Sequence, residues 1–189
     1  MTWQVIRLSD AVASPWRNGG GVTRELAAWP AGSADWVWRI SVAEVATSGP
    51  FSRFADVQRW FAVLSGNGVA LQMHGVEHRL TAGSEPLEFD GAVPVDCRLI
   101  DGPTQDLNLM VRQGRASARM QRIAGAQQFV GRAAKVLAVY AQAGPAKLRD
   151  EQELLTVPEH SLAWRSAPAG THVEVMAHGA VWMEIEPWA

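Results

Sequence analysis

Residues able to do chemistry gather around Arg17-Asn18-Gly19-Gly20-Gly21 and the strand-like Val22-Thr23-Arg24-Glu25-Leu26 that follows. Three successive glycines cost backbone entropy, so the chain needs positive φ or a close backbone approach there. Exposed amides in such a turn can receive an anion, which makes Gly19 and Gly20 candidate ligand contacts. A plain strand-entry turn is the alternative. A phosphate loop is excluded, because no Lys-Ser/Thr follows and a strand comes next instead of a helix. Thr23 and Glu25 share one strand face, with Arg24 on the other. Arg39 and Ser41 share a face, and Asn108 sits between Leu107 and Leu109. An inward Arg or Glu must be paired with another charge or with a ligand. The arginine fork suits a carboxylate, to which it donates two parallel hydrogen bonds. An outward-facing arginine on a solvated sheet face is the competing reading.

Other chemistries find little support. Gly68, five residues and then His74 match the start of a cupin metal motif. That motif next requires His and Glu where this chain has Val76, Arg79 and Leu80. His74 and His78 lie four apart, but Gly75 between them indicates a hairpin turn and not a helix face. No bound metal is expected. No Gly-x-Ser-x-Gly occurs, and Cys97 lies mid-strand between Asp96 and Arg98, where a buried structural thiol is expected. Arg112, Arg115, Arg119, Arg122, Arg132 and Lys135 form a basic run without an acid. Lacking interleaved aromatics, it reads as a solvated connector, not a nucleic-acid surface.

The elements that must position these groups are strands. Apolar residues recur with period two, as in Trp36-Val37-Trp38-Arg39-Ile40-Ser41-Val42, where Trp36, Trp38, Ile40 and Val42 share a face. Similar runs cover 22–28, 60–64, 69–73, 95–100 and 107–112, separated by Gly/Pro/Asn/Asp turns. A second series covers 135–142, 153–157, 161–166, 172–177 and 180–185. Between the two series, 114–132 is weakly patterned and holds the expected lobe boundary; 124–132 is the one stretch where a helical turn or two is expected. With 189 residues, 48% hydrophobic content and a net charge of −2, the chain can bury a sizeable core and carries no field toward nucleic acid. One cysteine excludes an intramolecular disulfide and fits a reducing compartment. The N-terminus lacks signal-peptide features and no window approaches the roughly 18 apolar residues of a membrane span, so a cytoplasmic protein without membrane contact is expected.

Taken in order, several pieces resemble the HutD/Ves family of bacterial proteins. They are Trp16 through Leu26, Trp38 through Val45, Gly49-Pro50-Phe51-Ser52-Arg53-Phe54, Phe89-Asp90-Gly91, Asp101-Gly102-Pro103 and Asp106 through Met110. The resemblance implies an all-β, cupin-like double-stranded β-helix of jelly-roll type. It implies two β-barrel lobes in one chain, a bicupin: 1–115 with a pocket, and 116–189 as a smaller β lobe packed on the first. It implies no established catalytic activity. Members encoded with histidine-degradation genes are thought to modulate that pathway by binding urocanate or formiminoglutamate. This chain departs from the family pattern at Arg17 (commonly Lys), at Ala55-Asp56 (Pro-Gly) and at Leu107 (Phe).

Together these readings give a non-enzymatic, cofactor-free binding protein for a small carboxylate. The expected ligand-binding set is Asn18, Gly19, Gly20, Thr23, Arg24, Glu25, Arg39, Ser41, Phe54, Asn108 and Met110. Arg24 or Arg39 would pair with the carboxylate, Asn18, Thr23, Glu25 and Asn108 would orient it, and Trp16, Phe54 and Met110 would form apolar walls. Thr23 and Arg24 can line one cavity only across a bulge or strand end. One alternative is a cupin-like isomerase or hydrolase with Glu25 as general base. Another is a protein-interaction regulator acting through exposed faces or the basic connector. Exposed sheet edges leave a homodimer open.

Overall fold

Period-two patterning becomes strand almost throughout, in a computed structural model that describes residues 2–151 and 153–188. The first strands are β1 (Gln4–Arg7), β2 (Ala13–Pro15), β3 (Gly21–Trp29), β4 (Trp38–Val45), β5 (Gly49–Pro50) and β6 (Val57–Ser65). Next come β7 (Val69–Met73), β8 (Val76–Leu80), β9 (Leu87–Asp90), β10 (Asp96–Leu99) and β11 (Thr104–Arg112). The last are β12 (Ala116–Val130), β13 (Lys135–Ala143), β14 (Ala146–Arg149), β15 (Leu154–Val157), β16 (Ser161–Ala167) and β17 (His172–Pro187). The fold is all-β, with one short 3-10 turn at Leu8–Asp10 among the described residues.

The chain forms two compact units. One runs from Val12 to Gly114; the other joins the segment up to Ala11 to the chain from Arg115 onward. The sequence boundaries, 1–115 and 116–189, therefore differ from the observed ones at the N-terminus. β1 adds to the edge of the C-terminal unit's sheet, pairing Gln4–Arg7 antiparallel with Ser161–Trp164 of β16. Such an edge partnership depends on residues about 155 positions away and leaves no local signal.

In the Val12–Gly114 unit, a six-stranded sheet has the order β2-β3-β4-β11-β6-β9 and a four-stranded sheet the order β5-β10-β7-β8. Phe61 and Val63 pack with Val69, Leu71, Met73 and Cys97 in one apolar core that joins residues of the two sheets. His74 has φ 49 and, with Gly75, turns β7 into β8, so these residues form the expected hairpin.

In the other unit, β17 organises one seven-stranded sheet. β12 pairs along nearly its whole length, while β14 and then β13 occupy its other side. Val139, Leu148, Val173, Val175 and Trp182 lie in its core. Three expectations are corrected here. Residues 124–132 form no helix, because 116–130 is one strand hydrogen-bonded to β17. The same strand replaces the expected solvated connector. The two runs 172–177 and 180–185 also join into a single strand, in which Gly179 marks an irregularity and not a turn.

The glycine segment is explained by contacts within its own unit. Gly19 has φ 72 and its N–H donates to the Trp16 carbonyl, 3.0 Å. The Gly20 N–H donates to Asn18 Oδ1, 3.0 Å, and its carbonyl accepts from Ala46 and Thr47. At Gly21 a Cβ would stand 2.3 Å from the Glu44 carbonyl oxygen, so β3 can lie against β4 there only without a side chain. Gly21→Ala is therefore expected to cost about 2–4 kcal/mol in thermal unfolding. Gly19→Ala, which meets open space at positive φ, should cost about 1–2 kcal/mol. Equal losses for the two variants would contradict the close approach at Gly21.

Candidate functional site

Strand register builds one polar face in the six-stranded sheet. Glu25 on β3, Ser41 on β4, Asn108 on β11 and Phe61 on β6 stand side by side as register partners. The next row is Arg39 on β4, Met110 on β11, Arg59 on β6 and Phe89 on β9. Side chains alternate across a pleated strand, so every second residue on these strands points to this face. A cavity of about 600 Å³ opens over it. Trp16, Arg17, Phe51 and Phe54 complete the wall. The Trp16 indole N–H donates to Thr23 Oγ1, 2.8 Å, and its ring meets Phe51 edge-on with centroids 6.3 Å apart.

The two arginines of the second row dominate the site. Arg59 is 5% exposed. Its Nη2 donates to Asn108 Oδ1, 2.9 Å, and its Nη1 reaches the Ser52 carbonyl at 3.4 Å. The guanidinium lies over Phe51, Phe54 and Phe89, 5.6, 5.6 and 5.0 Å from their centroids. Arg39 donates Nη2–H to Met110 Sδ at 3.2 Å and lies over Trp36 and Phe54. Neither Nε has a hydrogen-bond partner. Burial, and then the neighbouring Arg39 charge, push the Arg59 pKa down to about 10, which leaves it a cation at neutral pH. Burial also lowers Arg39, partly countered by the negative charge of Glu25. Ring faces stabilise such cations by about 0.5–2 kcal/mol each. They cannot replace a counter-ion, and a buried charge without one is costly.

Asp106 does not fill that role. It occupies the same strand face two residues before Asn108 and is fully buried. Thr104 Oγ1 donates to its Oδ2, 2.8 Å, while Oδ1 is unpartnered. Burial drives its carboxyl up to about 7, against the opposing pull of the Thr104 hydrogen bond. Cys97 in the facing sheet is buried, and burial with the Asp106 charge raises its thiol to about 12, so it stays protonated. Among the described residues, no three His, Cys, Asp or Glu side chains converge as a metal centre.

Of the residues expected from sequence, Asn18, Thr23, Glu25, Arg39, Ser41, Phe54, Asn108 and Met110 line this cavity. Gly19, Gly20 and Arg24 do not. The two glycine amides are spent on Trp16 and Asn18, and Arg24 turns to the opposite sheet face, where its Nε meets Glu44 Oε1 at 3.0 Å. The bulge needed to bring Arg24 inward does exist in β3, but it falls after Glu25. Asn108 lines the cavity and holds the Arg59 guanidinium. Sequence reasoning missed Arg59, Phe51 and Phe61. The available signal was an arginine inside Val57-Gln58-Arg59-Trp60-Phe61-Ala62-Val63-Leu64, a run apolar on both faces, where a charge has no solvated side to occupy.

A second cavity, about 680 Å³ in the other unit, is bordered by Lys135 and Arg165. Its cations already have acids: Lys135 Nζ meets Glu184 and Glu186 at 2.6 and 2.9 Å, and Arg165 meets Asp150 at 2.7 Å. Arg39 and Arg59, cavity cations without an acid in an ion pair among the described residues, lie in the Val12–Gly114 unit.

Comparison with known proteins gives this geometry a family setting. The family model for HutD matches residues 8–183. An uncharacterized 21.2 kDa protein in the hutC 3′ region of Pseudomonas putida is 36% identical over 135 residues, 71% of each chain. Protein Ves of Cronobacter sakazakii is 35% identical over 158 residues, 83% of this chain and 82% of that one. The structure of HutD from Pseudomonas fluorescens SBW25, in a formate condition, superposes with a TM-score of 0.87 at 33% identity and covers all of both chains. At the level of fold alone, a Bacillus subtilis oxalate decarboxylase variant matches with a TM-score of 0.64 at 8% identity, covering 96% of this chain and 76% of that one.

Asp106 yields a pH test. Its folded pKa lies above its ordinary value of 3.8, so between about 4 and 7 the folded state holds a proton that the unfolded chain has lost. Its contribution to stability is fully present below that window, declines as pH rises through it, and is flat above. Asp106→Asn cannot ionise and keeps an acceptor for Thr104. It should raise the melting temperature several degrees more at pH 8 than at pH 4.5, on the order of 2–4 kcal/mol. The same increment at both pH values would contradict a buried, raised carboxyl.

Proposed function

The chain belongs to the HutD family; from that membership and the arginine pair, we propose that it is a non-enzymatic binding protein for a small carboxylate. The observation that carries this reading is the pair of cations Arg39 and Arg59, both lining the cavity with no acid among the described residues in an ion pair with either and each with an Nε that lacks an acceptor. A carboxylate supplies the missing charge and acceptor oxygens together. Phe51, Phe54, Phe61 and Met110 supply the apolar wall expected of a small-molecule site, with few polar groups to fix orientation. Placement of one relative in a hutC 3′ region supports a role in modulating histidine utilisation, with urocanate and formiminoglutamate as the first ligands to test. Each unit is read as one cupin-like barrel of a bicupin, in a cytoplasmic protein.

Selective binding to the native state raises its stability. Millimolar urocanate or formiminoglutamate should raise the melting temperature by several degrees, and free histidine by much less. Arg59→Gln should lose the shift. Arg24→Ala should retain it, because Arg24 pairs with Glu44 on the opposite sheet face. Absence of any shift with either carboxylate, or its persistence in Arg59→Gln, would overturn this assignment.

A further inference from the structure

The two arginines carry information about how many acidic groups the ligand has. Arg39 and Arg59 stand in one row on β4 and β6, with Met110 of β11 between them. At about 4.8 Å per strand step their Cα atoms are roughly 10 Å apart. Both guanidinium carbons lie against the same Phe54 ring, 5.5 and 5.6 Å from its centroid. Arg39 bends toward its neighbour, donating to Met110 Sδ. The group between the two cations is thus a thioether beside an aromatic ring, and neither offers a negative charge.

The charge of the whole cavity is also unbalanced. Its ionisable lining is Arg17, Arg39, Arg59 and Glu25, a surplus of two positive charges. Arg17 and Glu25 are exposed residues, whereas Arg39 and Arg59 are the more deeply placed pair. A single carboxylate matches one guanidinium fork and one charge. It leaves the other arginine in like-charge opposition with no partner. Two carboxylates joined by a short chain satisfy both.

We propose that this pocket selects short-chain dicarboxylates, one acid seated on Arg59 beside Asn108 and Ser52, the other on Arg39. Glu25, in the adjoining row beside Ser41, disfavours a third acidic group and suits an N–H or cationic nitrogen on the connecting chain. This rests on the carboxylate-binding reading above and narrows it to diacids.

Calorimetric titration of the purified full chain tests it with succinate, glutarate and adipate, each set against its own monomethyl ester. The ester keeps the shape and one acid while removing one charge. At least one diacid should bind about tenfold or more tightly than its ester. Arg39→Met and Arg59→Lys should each reduce that preference below about threefold; the first deletes a cation, and the second keeps the charge without the fork. If every diacid and its ester bind within about twofold, the dicarboxylate inference is overturned while the carboxylate pocket stands. If no diacid or ester binds, and urocanate and formiminoglutamate also fail, both readings fall.

Discussion

A guanidinium with 5% exposure and no acid beside it is the constraint around which the Val12–Gly114 unit is arranged. Buried cations cost several kcal/mol unless their charge and donors are met. Here aromatic rings and neutral acceptors meet part of the demand: Phe51, Phe54 and Phe89 around Arg59, Trp36 and Phe54 around Arg39, Asn108 as a brace. These groups hold the forks still without neutralising them. A site that keeps its cations fixed and unneutralised is preorganised for an anion, since little ordering cost remains at binding.

That arrangement depends on a rigid sheet. β3, β4, β11 and β6 are adjacent and antiparallel, and their register sets Glu25, Ser41, Asn108 and Phe61 in one row and Arg39, Met110 and Arg59 in the next. A slip of one residue in β4 or β6 would reverse the face and remove an arginine from the cavity. Gly21, pressed against the Glu44 carbonyl, and the bulge after Glu25 help fix where β3 lies on β4. The other unit has resolved its charges differently. Lys135 and Arg165 are already matched by acids, so its larger cavity makes no comparable demand.

Much of this was legible in the sequence because alternation reports on strands directly. The placement of Thr23 and Glu25 on one face and Arg24 on the other agrees with the register, as does the hairpin at His74-Gly75. What escaped has a common physical cause: long-range pairing decided it. β1 joins the C-terminal unit through β16, and 116–130 is strand because β17 lies beside it, although its own pattern is weak. Arg24 attracted attention as part of a motif, but Glu44 already satisfies it. Arg59 was overlooked because its apolar neighbours made the segment look like ordinary core. The glycine run first suggested amides open to an anion; those of Gly19 and Gly20 are consumed by the turn itself.

On the proposed reading, the guanidiniums of Arg39 and Arg59 take up an acidic ligand, and their Nε–H protons report it. Nitrogen-edited NMR observes those protons one by one. Titration with glutarate should shift both Nε–H resonances together, as each guanidinium gains a charged acceptor, while the Arg24 resonance stays in place. If the diacid binds and the Arg39 and Arg59 signals do not move, the ligand sits elsewhere and the account of this pocket is wrong.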